Sequence, residues 1–307
     1  MPQVSVIIPT RNRARFLARA VQSVLVQTYQ DFEILVVDDA SEDDSAVVVQ
    51  DFDDQRIRLL RHAERRGGAS ARNTGIVNSS GEYVAFLDDD DEWLPEKLAR
   101  QIALVLRDRG AAAVVYTGYV IVDESNGMIC GQKIPRLRGN LYRALLENNC
   151  VGGTSSVLVR RSCFETVGLF DEALPSFQDY DLWIRIASSF QFDCITEPLL
   201  KYFVHPNKIW TNPEALMAGL KIMLDKYGQS PAFKKRCSAH YLSVGVRFFE
   251  IQQIEKARKA LSQALACDPY KVKPYVYLCL TLFGLRALLL LRKTKAKVSS
   301  RSSGWNF

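Results

Sequence analysis

Tyr83-Val84-Ala85-Phe86-Leu87 runs directly into Asp88-Asp89-Asp90-Asp91, an apolar stretch that reads as a strand ending in a row of carboxylates. Like charges in a row repel one another, and beside a buried strand they are poorly solvated unless a cation sits among them. Oxygen-only ligands of this kind suit magnesium or manganese, and magnesium is commonly held by one or two carboxylates while substrate phosphates complete its shell. Standing alone, the run also reads as a solvated acidic turn. Its surroundings decide between the two.

Upstream, 4–9 is a short apolar run closed by Pro9, and 14–28 carries Phe16, Leu17, Ala20, Val21, Val24 and Leu25 at helical spacing. A second apolar run, 32–37, stops at Asp38-Asp39, and 45–52 reads as the next helix. A third strand at 57–60 and a helix at 69–79 closed by Gly81 lead into the strand at 83–87. This alternation predicts an α/β fold with a mostly parallel sheet flanked by helices. In open sheets of that kind ligands bind beyond the carboxyl ends of the strands. Pro9-Thr10, Asp38-Asp39 and the acidic run all fall there, so three polar clusters are expected on one crevice.

Downstream, the pattern predicts a helix at 94–106 beginning near Pro95, a strand region at 111–122 and a turn-rich segment at 123–140. Shorter strands follow at 157–159 and 192–195, around a helix at 180–188. Beyond about residue 212 the texture is helical, at 213–227, 232–250, 254–266 and 274–291. The stretch 255–269 resembles the second helix of a tetratricopeptide repeat, and one such unit cannot bury its own apolar face, so it must pack on its neighbours. The expected domains are 1–211 and a helical tail, 212–307.

With 307 residues, 48% hydrophobic and 24% charged, the chain can bury a core, and disorder, collagen and a polytopic membrane protein are excluded. Its seven cysteines form no C-x-x-C pair and several lie in apolar runs, which reads as reduced thiols in the cytosol. The N-terminus has no basic region before its first apolar run, so no signal peptide is expected and the predicted location is cytoplasmic. Charge is divided unevenly: residues 1–200 hold 21 Lys and Arg against 29 Asp and Glu, whereas residues 201–307 hold 19 against 5. A basic tail suits an anionic partner. Residues 275–291 are nearly all apolar and span about 25 Å as a helix, short of the ~30 Å hydrocarbon core. With Arg292, Lys293, Lys295 and Lys297 behind them, they suit either a helix lying on the inner face of the plasma membrane or internal packing.

Taken in order, Pro9-Thr10-Arg11-Asn12-Arg13, Gln27-Thr28-Tyr29, Val36-Val37-Asp38-Asp39-Ala40-Ser41, Ala71-Arg72-Asn73-x-Gly75 and Phe86-Leu87 with the acidic run resemble the nucleotide-sugar domain of family 2 glycosyltransferases. Gly168-Leu169-Phe170-Asp171-Glu172, Gln178-Asp179-Tyr180-Asp181-Leu182-Trp183-x-Arg185, Glu197-Pro198-Leu199 and Tyr202-x-x-His205 continue it, so the similarity covers about residues 3–208. It implies a GT-A type, Rossmann-like sheet and an inverting, metal-dependent transfer from a nucleoside-diphosphate sugar to the hydroxyl of a sugar, glycolipid or other acceptor. The expected partners are that donor, that acceptor and an anionic membrane surface, with no nucleic acid. A non-catalytic adaptor on the same fold is the competing reading.

The resemblance also assigns residues. Asp39 is expected to accept a uracil-type imide N–H, with Pro9, Thr10 and Asn12 shaping the same donor site; the competing reading makes Asp39 a helix N-cap. Arg72, near a helix start, is expected to meet the nucleotide or its phosphates. Asp88 approaches the ribose or donor sugar, Asp89 is an extra carboxylate where relatives often have a small residue, and Asp90 binds magnesium or manganese. His205 matches a position that reaches the metal or diphosphate in some relatives. Asp179 is the expected general base, with Asp181 its rival or a helix cap. Gln178 replaces an acidic neighbour common in the family, which lowers the pKa expected for Asp179. Ser41 reads as a cap, Gly152-Gly153-Thr154-Ser155-Ser156 as an acceptor-side loop, and His62 and His240 as residues without functional context.

Overall fold

The chain folds in a computed structural model that describes residues 1–107, 111–205 and 212–284. Two compact units divide it, Met1–Lys208 and Ile209–Phe307.

In the first unit β1 (Val4–Thr10), α1 (Ala14–Leu25), β2 (Phe32–Asp38), α2 (Ser45–Gln50), β3 (Ile57–Arg61), α3 (Gly68–Asn78) and β4 (Tyr83–Phe86) alternate as the sequence predicts. All of β2 is buried, as expected for a strand covered on both faces. Leu17, Val21 and Val24 of α1 pack on Val6 and Ile8 of β1 and Ile34 and Val36 of β2, forming the core of this half. A Cβ at Gly75 in α3 would lie 2.4 Å from Ile7 Cγ2, so only glycine lets α3 sit this close to β1.

The second half adds β5 (Glu92–Trp93), α4 (Lys97–Arg107), β6 (Ala112–Asp123), β7 (Ile129–Lys133), α5 (Tyr142–Glu147), β8 (Val157–Arg160), α6 (Ser162–Val167), α7 (Gln178–Ala187) and β9 (Gln191–Val204). The sheet has nine strands in the order β3-β2-β1-β4-β8-β6-β9-β5, with β7 on β6. Pairings from β3 through β4 are parallel, as is β6 with β9. Antiparallel pairings come from β8, β5 and β7. β1 has β2 on one side and β4 on the other, so the strand order reverses there and opens the crevice in which ligands of such sheets lie. Register places Thr10 opposite Asp38 on its rim.

Sequence periodicity underestimates β9, expected only at 192–195. Its register against β6 jumps between Ile195 and Pro198, so Thr196 and Glu197 bulge out and break the apolar pattern, while the bulge accommodates the proline. The short β5 and β7 were also outside the expected set. The helix expected near Pro95 begins at Lys97.

The second unit is helical: α8 (Pro213–Tyr227), α9 (Pro231–Glu250), α10 (Ile254–Cys267) and α11 (Val272–Phe283). Asn212 and Ser230 cap α8 and α9 by accepting backbone N–H bonds, each followed by a proline at the first helical position. Ala257, Ala260, Leu261 and Ala264 form the buried face of α10, and Gly245 of α9 gives Leu261 its room. Of the apolar stretch 275–291, residues 285–291 and the basic cluster behind them lie outside the described residues. No described helix is long and apolar enough to cross a membrane.

Candidate active site

The rim of the crevice is built where β1, β2 and β4 end. Asp39 follows β2 and is buried, 4% exposed. Its Oδ1 accepts from Arg66 N at 2.7 Å and lies 2.8 Å from His62 Nδ1, and its Oδ2 accepts from Gly67 N at 2.8 Å. Burial pushes this carboxyl upward, yet the bonds from Arg66, His62 and Gly67 outweigh it and hold the group below the usual carboxylate range. Three of the roughly four acceptor positions of a carboxylate are thereby used, leaving one on Oδ2. Asp39 is no cap of α2, whose N-cap position belongs to Asp44. Beside it Ala40, Ser41, Glu42, Arg61, His62 and Ala63 line a cavity of about 470 Å3.

Ser41 is not a helix cap either. Its N–H donates to Asp38 Oδ1 at 2.8 Å and its Oγ accepts from Asn12 N at 2.9 Å. Asn12, at φ 53°, also accepts from Glu42 N at 2.8 Å, so this side chain fastens the loop after β1 to the loop after β2. Pro9 stands in β1 one residue before Thr10, whose Oγ1 donates to Asp89 Oδ2 at 2.8 Å.

Every carboxylate of the acidic run has partners within the chain. Asp88 accepts from Arg72 Nη2 at 2.6 Å and from Thr154 Oγ1 at 3.1 Å. Asp89 accepts from Thr10 and, at 3.0 Å, from Arg13 Nη1. Burial drives its carboxyl up to about 6 although Arg13 pulls the other way. Asp90 Oδ2 accepts from the same Arg13 Nη1 at 2.8 Å and lies 2.8 Å from His205 Nε2, whose ring stacks on Phe16. Asp91 accepts from Ser155 Oγ at 2.7 Å and Phe203 N at 3.3 Å. Asp88, Asp90 and Asp91 each offer an oxygen within 4.8 Å of the others, and this all-carboxylate donor set fits a hard divalent cation.

Arg72, in the second turn of α3 rather than at its start, also reaches Gln178 Oε1 at 3.3 Å. It therefore links the acidic run to the first turn of α7, where Asp179 stands. Asp179 Oδ1 accepts from Tyr180 N at 2.8 Å. Desolvation, with Asp88 adding to it, pushes Asp179 up to about 6 against Tyr180 N–H and Arg72, so burial governs this group more than the missing acidic neighbour does. Phe177, just before, is held at φ 63°, a left-handed conformation unusual for an aromatic residue. Asp181 does not cap α7. Its buried side chain pairs with Arg185 Nε at 2.8 Å, and Arg185 in turn donates to Val167 O and Leu169 O.

Residues 5–168 match the family described as Glycosyl transferase family 2. The chain belongs to glycosyltransferase family 2. An uncharacterized glycosyltransferase of Rickettsia prowazekii (strain Madrid E) is 34% identical over 66% of this chain and 64% of its own, so the chain spans just under two thirds of that relative. UDP-Glc:alpha-D-GlcNAc-diphosphoundecaprenol beta-1,3-glucosyltransferase WfgD of Escherichia coli is 30% identical over 80% of this chain and 94% of its own. The fold is shared with mannosyltransferase PcManGT from Pyrobaculum calidifontis, solved in complex with GDP-Man and Mn2+, at a TM-score of 0.60 and 20% identity over 96% of this chain and 80% of that one.

In this family 2 glycosyltransferase, hydrogen bonds join Thr10, Asp89, Arg13, Asp90 and His205 in one group and Arg72, Asp88 and Gln178 in a second, with Asp179 next to Gln178 in the chain and Asp39 on the adjoining rim. Sequence reasoning missed Arg13, His62, Asp91 and the hydroxyls of Thr154 and Ser155. Arg13 lies in the Pro9–Arg13 motif, whose pattern does not show that its guanidinium meets Asp89 and Asp90. The 152–156 segment, expected on the acceptor side, lays Thr154 and Ser155 against the acidic run. His62 had no signal: a lone histidine reveals nothing until the fold brings it to Asp39.

Proposed function

We propose that the chain transfers a sugar, with inversion, from a uridine diphosphate sugar to an acceptor hydroxyl. The observation that carries this reading is the Arg72 guanidinium, which reaches both Asp88 of the acidic run and Gln178, the neighbour of Asp179. Donor chemistry and a proton acceptor thus stand one side chain apart.

In this reading Asp39 accepts the imide N–H of the base, and Arg72 and Arg13 face the diphosphate, where their forked donors match phosphate oxygens. Asp88, Asp90 and Asp91 hold magnesium or manganese, with His205 orienting Asp90; the bound ion supplies charge stabilisation for the departing diphosphate. Asp179 takes the proton of the acceptor hydroxyl as its oxygen bonds to the anomeric carbon. The bond from that carbon to the diphosphate oxygen breaks, and the electron pair leaves with the nucleoside diphosphate. A base near 6 is largely ionised at neutral pH yet more basic than an ordinary aspartate, which favours this step. The name of WfgD supports uridine as the base and a membrane-borne glycan as the acceptor. The presence of Asp39, Asp90 and Asp179 together speaks against the adaptor reading.

We assign 1–211 to catalysis and 212–307 to an accessory role at the cytoplasmic membrane face. On α11 exposed Val272, Tyr275, Val276, Leu282 and Phe283 accompany Lys273, with Lys271 at its N-cap, the combination of an interfacial helix. The test is incubation of purified protein with a panel of sugar nucleotides, each with and without Mn2+, read by release of nucleoside diphosphate. No release from any UDP-sugar, with or without acceptor, would sink the reading.

A further inference from the structure

Asp89 is a buried carboxylate inside the acidic run, and its partners explain what its charge does. One oxygen is fixed by Thr10 and the other by Arg13, and the Arg13 nitrogen that binds Asp89 also binds Asp90. Asp89 and Asp90 side chains are only 6% and 5% exposed, whereas that of Arg13 is 27% exposed. The anchor is buried and the cation on it still faces solvent.

Among the described residues, three more basic side chains reach the run. Arg72 faces Asp88, His205 shares the Asp90 oxygen with Arg13, and Arg19 donates to the Asp90 backbone carbonyl and pairs with Glu124. Arg13 thus sets a guanidinium on the side chain of the proposed metal ligand. A divalent ion arriving at Asp90 meets a fixed positive charge at contact distance and is repelled until that charge finds another anion. A diphosphate is such an anion, and guanidinium pairs with it through parallel N–H bonds.

We propose that Arg13, held by Asp89, is a built-in counter-ion at Asp90 that moves to the donor diphosphate when cation and donor bind together. The inference rests on the donor and metal assignments above. Arg13 opposes cation binding while no nucleotide is present and favours the ternary complex once one is. Metal and nucleotide therefore each raise the affinity for the other, by the same factor.

Mn2+ binding to the full chain, followed by the electron paramagnetic resonance signal of the free ion with and without UDP, tests this without relying on turnover. Wild type is expected to bind Mn2+ at least fivefold tighter with UDP, the lower end of usual coupling. Arg13→Gln should bind Mn2+ alone several-fold tighter than wild type and UDP with Mn2+ more weakly, shrinking the coupling. Arg13→Lys restores the charge and should return the weak binding of Mn2+ alone. Should the Gln variant unfold, Arg13→Met, which keeps the apolar stem, replaces it. Wild type that binds Mn2+ neither alone nor with UDP removes the metal assignment itself. Wild type that binds it with no coupling, or a neutral Arg13 variant with unchanged affinity for Mn2+ alone, overturns the counter-ion role while leaving that assignment intact.

Discussion

His62 Nδ1 lies 2.8 Å from Asp39 Oδ1, and its Nε2 lies 2.9 Å from Thr74 Oγ1. A histidine just past the end of β3 thus joins the carboxylate after β2 to the side of α3, and orients the group proposed to read the donor base. His62→Ala is expected to weaken UDP binding roughly tenfold, the usual worth of a hydrogen bond to a charged group, with Mn2+ binding unchanged. His62→Gln should recover part of the loss. Calorimetric titration with UDP decides, and equal affinities for wild type and Ala variant would remove the role.

Asp179 and Asp181 are neighbours in one helix with opposite expectations. Asp179→Asn keeps size but cannot take a proton, so turnover should fall roughly 10²-fold or more while donor affinity survives. Asp181→Asn weakens a buried pair with Arg185 and should instead cost about 2 kcal/mol of stability, read by urea unfolding. A folded but inactive Asp181 variant beside an active Asp179 variant would transfer the base to Asp181.

The pH dependence follows from Asp179 at about 6. The base must be ionised, so the rate at low donor concentration should decline as pH falls through 6, and Asp179→Asn should abolish that limb. Stability moves the opposite way. Asp89 and Asp179, both near 6 when folded against 3.8 otherwise, bind more protons in the native state, so their contribution declines as pH rises from 4 to 6. A thermal melt series over that range, compared with Asp89→Asn, measures it.

Chelator is expected to abolish transfer and Mn2+ or Mg2+ to restore it, with Asp90→Asn inactive in either case. Full transfer in excess chelator would overturn the metal assignment.

On α11, Leu282 and Phe283 are 71% and 75% exposed. Leu282→Glu with Phe283→Glu should weaken sedimentation with vesicles containing anionic lipid several-fold, since two apolar anchors and their favourable burial are lost. Unchanged sedimentation would show that this face does not meet the membrane.

The parallel half of the sheet was legible because β1, β2 and β4 are buried along nearly their whole length and read as mostly apolar runs ending in polar clusters, with Ser5 and Glu33 bonded to each other inside them. β9 was not, because a bulge and a proline interrupt its period. The same division holds in the site. Asp39, Arg72, Asp90 and Asp179 stand in ordered motifs, and their neighbours in space follow from strand ends. The partnerships of His62, Arg13 and Ser155 depend on loop paths that no local pattern encodes. The raised carboxyl of Asp179 depends on burial, which a motif does not report, and Asp181 looked like a cap because the reach of Arg185 to the 167–169 segment is a tertiary fact.

If Asp39 reads the donor base as proposed, the single acceptor position left on its Oδ2 makes the loop after β3 a filter on bases. A pyrimidine with one imide proton between two carbonyls fills the position and leaves nothing over. Guanine presents two adjacent donors and leaves one facing a saturated oxygen, whereas the ring nitrogen of cytosine is itself an acceptor and meets Asp39 lone pair to lone pair. Competition binding should therefore rank UDP above GDP and GDP above CDP, and replacing the Arg66 and Gly67 segment with one that withdraws a backbone N–H should narrow the gap between UDP and GDP.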